Sequence, residues 1–344
     1  MKLAGKKLLI VVVFAFLAAS VYADQFAGES MAIGVGARPL GMGGAFVGLA
    51  DDASASYWNP AGLVNVKGVE VSDVKLTANP NLNAIDTAYT YVNLCYNVSN
   101  DIGAFGVAWL RQGIDKIQIT DNQGDVISNA AGNADNAIYL SYARNLVTGF
   151  SFGISGKLLL GNYPATVVNS SGAASLSTIN YSGGGVDAGL YLDMKTLSSA
   201  FQGLSLGVNV QDIYTEQDWG SLGTPGTDDY FQGGVEQVPL NVKAGLAYNM
   251  PFDFLKQMKS EFILAADMDT KYQIVYHVGA EYWWNRMLAL RGGIQGYSEI
   301  SSGLDQQPTW SIGASLRWYF IGLDYAWVNN ELTPLQYLSV IGKF

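Results

Sequence analysis

Long stretches in which apolar and polar side chains alternate recur along this chain, and they constrain its fold more than any other feature. In Trp310–Phe320, Trp310, Ile312, Ala314, Leu316, Trp318 and Phe320 share one face, while Ser311, Gly313, Ser315, Arg317 and Tyr319 take the other. Leu204–Gln211 sets Leu204, Leu206, Val208 and Val210 against Ser205, Gly207, Asn209 and Gln211. Leu240–Asn249 sets Leu240, Val242, Ala244, Leu246 and Tyr248 against Asn241, Lys243, Gly245, Ala247 and Asn249. A period of two is strand behaviour. Strands of soluble sandwiches usually run to about five or six residues, whereas a tilted strand that crosses a bilayer needs about nine to eleven.

Such segments fall near 69–76, 85–97, 103–118, 136–143, 150–161, 182–193, 204–213, 238–249, 260–269, 273–284, 287–296, 309–319, 321–329 and 335–344. That is fourteen, an even number as single-chain bacterial barrels have. With both termini periplasmic, the odd-to-even connections face outward, and Thr120–Asp135, Gly161–Tyr181 and Tyr214–Gln237 are the longest in the chain. The inward connections are tight at Asn285-Arg286 and Phe320-Ile321, while Met194–Gly203 and Pro251–Ser260 are long enough for small helices.

Composition supports export to an outer membrane. Lys2, Lys6 and Lys7 precede the apolar run Leu8–Ala19, and Val21-Tyr22-Ala23 supplies small-residue cleavage chemistry, so residues 1–23 read as a signal peptide. No later segment carries the roughly 18 consecutive apolar residues of a membrane helix. The chain has 19 basic and 29 acidic residues; without the three leader lysines, 16 face 29. That acidity argues against nucleic acid as a partner, which requires a basic face. Cys95 is the single cysteine, so no disulfide framework exists, and His277 is the single histidine, which leaves a His-based metal cluster or catalytic triad very little to be built from. Gly34-Val35-Gly36 and Gly41-Met42-Gly43-Gly44 follow no strand and are broken by Pro39, which excludes a dinucleotide loop. Asp228-Asp229 reads as solvated loop charge, with weak calcium binding as the alternative, and Asn97-Val98-Ser99 and Asn169-Ser170-Ser171 as chance matches to a glycosylation pattern. Nothing points to an enzyme, a cofactor or a metal.

One stretch is not strand-like: Arg38–Leu63, RPLGMGGAFVGLADDASASYWNPAGL. Gly41, Gly43 and Gly44 let the backbone turn tightly. Asp51 and Asp52 stand where an N-cap belongs before the short run Ala53–Tyr57, and Pro60 pushes Asn59 out of the helical region, so the helix lasts about one turn. Asp51-Asp52-Ala53-Ser54 followed by Asn59-Pro60-Ala61-Gly62-Leu63 resembles the N-terminal hatch of FadL-type outer-membrane transporters. The form Trp58-Asn59-Pro60-Ala61 behind Gly41-Met42-Gly43 leans towards the PorV/PorQ family, which shares that barrel. The resemblance is specific over this stretch and architectural elsewhere. The expected fold is therefore all-β: a transmembrane antiparallel β-barrel of fourteen strands over residues 67–344, with a helical, Gly-rich plug over 24–66 behind the signal peptide. The final Lys343-Phe344 resembles the signal that the outer-membrane barrel assembly machinery reads.

Charges on the polar faces, Lys157, Asp187, Lys243, Asp267, His277, Glu281, Arg291, Arg317 and Asp324, are expected to line the lumen. On the lipid face each would cost up to a few kcal/mol near the midplane. Either they pair with one another, or Lys157, Lys243, Arg291 or Arg317 holds an anionic head group while inward Tyr191, Trp283 and Tyr319 hold an apolar tail. Trp109, Trp284, Trp310, Trp318 and Trp327 read as a girdle at the membrane interfaces. A two-residue turn at Phe320-Ile321 sets Arg317 directly across from Asp324, and a three-residue turn centred on Arg286 sets Glu281 across from Arg291. Two functions are consistent with this. FadL resemblance implies uptake of hydrophobic small molecules such as long-chain fatty acids. PorV resemblance implies a non-transporting barrel that docks type IX secretion proteins.

Overall fold

The computed structural model describes residues 27–67, 69–77, 86–120, 123–168, 174–223, 230–271, 273–297, 307–329 and 334–344. The signal peptide, Asp228-Asp229 and Asn169-Ser170-Ser171 lie outside them. The strands are β1 (Val69–Thr77), β2 (Asp86–Ser99), β3 (Gly103–Thr120), β4 (Val126–Val147), β5 (Phe150–Val168), β6 (Ala174–Asp193), β7 (Leu204–Trp219) and β8 (Val235–Gln237). They continue as β9 (Asn241–Asn249), β10 (Glu261–Asp269), β11 (Val275–Trp284), β12 (Leu288–Tyr297), β13 (Thr309–Trp318), β14 (Ile321–Val328) and β15 (Leu335–Lys343).

All pairings are antiparallel, and the ring closes through β1 on β15 and β6 on β7. It has fourteen members, because β8 and β9 both lie along β7 and form one interrupted strand. The interruption falls at residues 238–240, where Pro239 has no N–H to give a ladder. Outward side chains on every side of the ring are exposed and apolar, among them Val107, Leu140, Ile154, Leu206, Leu246, Leu264, Val278, Leu290, Ile312, Leu323 and Leu338. A soluble monomer does not leave so continuous an apolar band in water; the band is the lipid-facing surface of a transmembrane barrel.

Two expected outer loops, Thr120–Asp135 and Gly161–Tyr181, are largely strand, and the third, Tyr214–Gln237, is strand at both of its ends. The β5–β6 ladder runs up to Val168 opposite Ala174, β4 starts at Val126, and β7 reaches Trp219. Their alternation fades because both faces meet water beyond the lipid band, yet the ladder still satisfies the backbone. At the other end, which holds Val69 and Phe344 and is called here the terminal end, the turns are tight. Trp284 opposite Leu288 gives the three-residue turn centred on Arg286. The next hairpin differs by one residue from expectation: Trp318 faces Ile321, so the turn is Tyr319-Phe320. Arg317 therefore faces Gly322, and Asp324 faces Ser315. The register suits the arginine, since a Cβ at Gly322 would stand 2.8 Å from Arg317 Cδ. Tyr319, expected inward, adopts φ 51° in this turn and is 90 % exposed. Short helical turns occupy Met194–Thr196, Ser199–Phe201 and Asp253–Gln257, where small helices were expected.

The plug fills the ring. Its helices are Ala37–Gly41 and Ala55–Trp58, with 3-10 turns at Glu29–Ala32 and Pro60–Asn65. Asn59 is extended (φ −164°, ψ 101°), which ends the helix before Pro60 as expected. Met42, Phe46, Val47 and Leu63 are fully buried. The wall admits the plug backbone through inward glycines. A Cβ at Gly293 would lie 2.1 Å from Met42 C, and one at Gly207 2.1 Å from Val47 O. These close approaches explain the glycine-rich wall.

Candidate functional site: plug, lumen charges and cavity

Arg38 organises the underside of the plug. Its Nη1 donates to Asp51 at 2.5 Å and Asp52 at 3.3 Å, while Nη2 and Nε reach Glu281 at 2.8 and 3.0 Å. Burial opposes the charge on Arg38, but Asp51 and Glu281 outweigh it and hold the guanidinium above its ordinary pKa. Glu281 also accepts from Arg291 Nε at 3.0 Å and Trp283 Nε1 at 2.8 Å. Arg291 passes on to Ser315, which donates to Asp324. Asp324 in turn accepts from Arg317 at 2.6 and 2.9 Å. One chain of charge thus runs from plug to wall, with Arg317 stacked 5.2 Å over the Trp283 ring.

Both expected arginine–carboxylate pairs form, although only Glu281 and Arg291 are directly opposed. Neither Asp51 nor Asp52 caps the helix as expected: its N-cap is Ser54, which has no side-chain cap, because both carboxylates are engaged elsewhere. Asp52 Oδ1 accepts from Ser54 N at 3.0 Å and Ser54 Oγ at 2.5 Å, whereas Asp51 serves Arg38.

The Asn59-Pro60-Ala61-Gly62 turn is a staple. Asn59 Nδ2 donates to Val47 O at 3.1 Å within the plug and to Leu190 O at 3.0 Å on β6, and Oδ1 accepts from Ala61 N at 3.2 Å. Ala61 O accepts from Ser151 Oγ on β5 at 3.1 Å. Pro60 opens the following 3-10 turn. Gly62 packs so closely that a Cβ there would stand 2.1 Å from Ala50 O. Asp267 receives the plug amides of Phe46 and Val47, and His277 Nδ1 lies 2.7 Å from Gly43 O with its Nε2 3.0 Å from Asp269. His277 is thus a plug contact.

Toward the loop end, Lys157 pairs with Asp187 at 2.7 Å and with Asp212, and Lys271 reaches Asp212 at 3.2 Å. Asp212 sits at φ 58° in a register break between Val186 and Ala188, its amide donating to Asp187 at 2.8 Å. Of the four cations considered for an anionic head group, Lys157, Arg291 and Arg317 are committed to carboxylates. Lys243 is different. It is buried, its Nζ sits 5.1 Å from the ring centroids of both Tyr57 and Trp58, and among the described residues it makes no ion pair.

Lys243 borders a cavity of about 500 Å³ between plug and wall, whose lining includes Tyr57, Trp58, Tyr139, Leu159 and Tyr337. Burial, then the charges of Asp269 and Asp212, push the Tyr57 phenol far up, so it remains a neutral donor to Met31 O at 3.0 Å. The plug aromatics are held from the wall, where Asn209 and Gln211 donate to Trp58 O at 3.0 Å and Tyr57 O at 2.7 Å. Tyr191 and Trp283 instead line a second hollow at the terminal end. Sequence reading missed Arg38 as a hub and Tyr139 and Tyr337 as cavity walls. The parity of β4 and β15 could have placed the two tyrosines.

No protein-family model and no curated protein matches this chain. Solved structures do. The toluene transporter TbuX of Ralstonia pickettii superposes with TM-score 0.57 at 13 % identity, over 90 % of this chain and 98 % of that one. The monoaromatic hydrocarbon channel CymD gives 0.58 at 13 % identity, over 91 % and 98 %. A FadL homologue of Pseudomonas aeruginosa gives 0.55 at 12 % identity, over 94 % and 99 %. At this identity the likeness establishes the fold alone: a fourteen-strand antiparallel barrel like those of these proteins.

Proposed function

We propose that this chain is an outer-membrane barrel that takes up hydrophobic small molecules, and that the cavity beside Lys243 holds an amphiphile with an anionic head, such as a fatty-acid carboxylate. The observation that carries this reading is that Lys243, which makes no ion pair among the described residues, stacks on Tyr57 and Trp58 beside a cavity of about 500 Å³ whose wall is part aromatic and part polar. A carboxylate would accept a charge-assisted hydrogen bond from Lys243, while Tyr139, Leu159 and Tyr337 cover its tail. The fold is that of proteins described as a toluene transporter and a monoaromatic hydrocarbon channel, which supports a hydrophobic cargo. The register break at Asp212 and the strand interruption at Pro239 lie on adjoining strands, and an exit sideways into lipid would begin there. In this reading the mature chain is exported by residues 1–23 and assembled through Phe344.

The runner-up, a sealed barrel that docks secretion proteins, draws on the Trp58-Asn59-Pro60-Ala61 form behind Gly41-Met42-Gly43. Native mass spectrometry of the detergent-extracted barrel separates the two. Uptake predicts co-purified hydrophobic molecules, with the carboxylates among them lost on substitution of Lys243 and uncharged hydrocarbons retained. Stoichiometric protein partners with an empty cavity would favour docking.

A further inference from the structure

The two long terminal-end connections differ from the tight turns beside them. Leu197 and Phe201 lie on the first, and Phe252, Phe254 and Met258 on the second; all five are between 44 % and 59 % exposed. The connections are neighbours, because β7 pairs with β9 and Asn249 N donates to Gly203 O at 2.8 Å. Each is two-sided. Lys195 and Gln202 from the first, and Lys256 and Lys259 from the second, line the terminal-end hollow of about 1100 Å³, and none of the five apolar residues does. At the helix Asp253–Gln257, Phe254 and its C-cap Met258 are four apart on one side, and the Met258 amide donates to Phe254 O at 3.1 Å, while Lys256 turns to the other side and Lys259, at φ 51°, leaves the helix toward the hollow. Leu255 is buried, which fixes the rotation of the helix, and the Phe252 and Phe254 rings stack at 5.7 Å.

We propose that these connections form a foot that lies in the head-group layer of the leaflet at the terminal end, with Leu197, Phe201, Phe252, Phe254 and Met258 dipping to the acyl boundary. The inference rests on the reading of the barrel as membrane-embedded. What selects lipid as the occupant is continuity. The strands that the foot joins carry the exposed apolar residues Leu206, Leu246 and Leu264 on their outer face, so the apolar side of the foot extends the lipid-facing band. The lysines on the opposite side stay with the aqueous hollow, which is the division an interfacial helix shows. The foot adds a one-sided anchor below β6, β7, β9 and β10, the sector that contains the Asp212 break and the Pro239 interruption.

The test uses the full barrel in lipid nanodiscs, with Cys95→Ala removing the native thiol. Nitroxide labels are placed singly at Phe201→Cys, Phe254→Cys, Lys256→Cys and Leu264→Cys, and collision with oxygen and with a water-soluble nickel chelate is read by power-saturation spectroscopy. The proposal predicts oxygen-dominated labels at 201, 254 and 264 and a nickel-accessible label at 256. It is overturned if 201 and 254 behave like 256, or if both are shielded from both reagents, which would mean a covering protein surface. A nickel-accessible label at 264 would overturn the membrane reading itself and the foot with it. Should the thiol variants fail to fold, Phe254→Trp in the native chain replaces them. Lipids brominated near the head group then quench the added fluorescence if the foot is in lipid and leave it unchanged if it is not.

Discussion

Arg38 in the plug and Glu281 in β11 are joined by hydrogen bonds of 2.8 and 3.0 Å, although 243 residues separate them in the chain. Both side chains are buried, so this pair is the principal ionic joint between plug and wall. Breaking a buried pair by removing one partner costs about 3–5 kcal/mol, because it strands the other charge. In Arg38→Ala, Asp51 and Asp52 lose their cation while Glu281 keeps Arg291. The loss therefore falls on the plug. Limited proteolysis should cut within the plug much faster than in the native chain and leave the barrel intact.

Asn59→Ala tests the staple. It removes the donor to Val47 O and Leu190 O and the acceptor for Ala61 N, all at a fully buried position. Each stranded buried group costs about 1–3 kcal/mol. Hydrogen exchange should rise at the amides of residues 45–62 with little change in β10–β15.

Excising residues 24–63 should leave a folded ring that conducts. A barrel of about eight strands is filled by its own side chains, whereas this ring has fourteen and holds the plug in its lumen. Single-channel recording should show a larger, stable conductance. An unchanged conductance would mean that the wall charges close the lumen without the plug.

The barrel was legible because period-two alternation is a local property of the residues. Strand number, the turn at Arg286 and the facing of Glu281 and Arg291 all follow from parity. The outer halves of β4, β5 and β6 were not legible, since above the lipid neither face needs to be apolar. The turn at Tyr319-Phe320 depends on the stem of Arg317 crossing Gly322, which no spacing records. Lumen charges could be named but not ranked. That Lys243 alone among the four candidate cations is spared a carboxylate depends on where Asp187, Asp212 and Asp324 come to lie in the folded ring.

The cavity reading is tested most directly by isothermal titration of the solubilised barrel with decanoate and with decanol, which share a chain and differ in charge. The native protein should bind both. Lys243→Met should weaken decanoate about tenfold, or about 1.4 kcal/mol, and leave decanol unchanged. Failure of the native protein to bind either ligand, or an equal loss of both in the variant, would contradict the account.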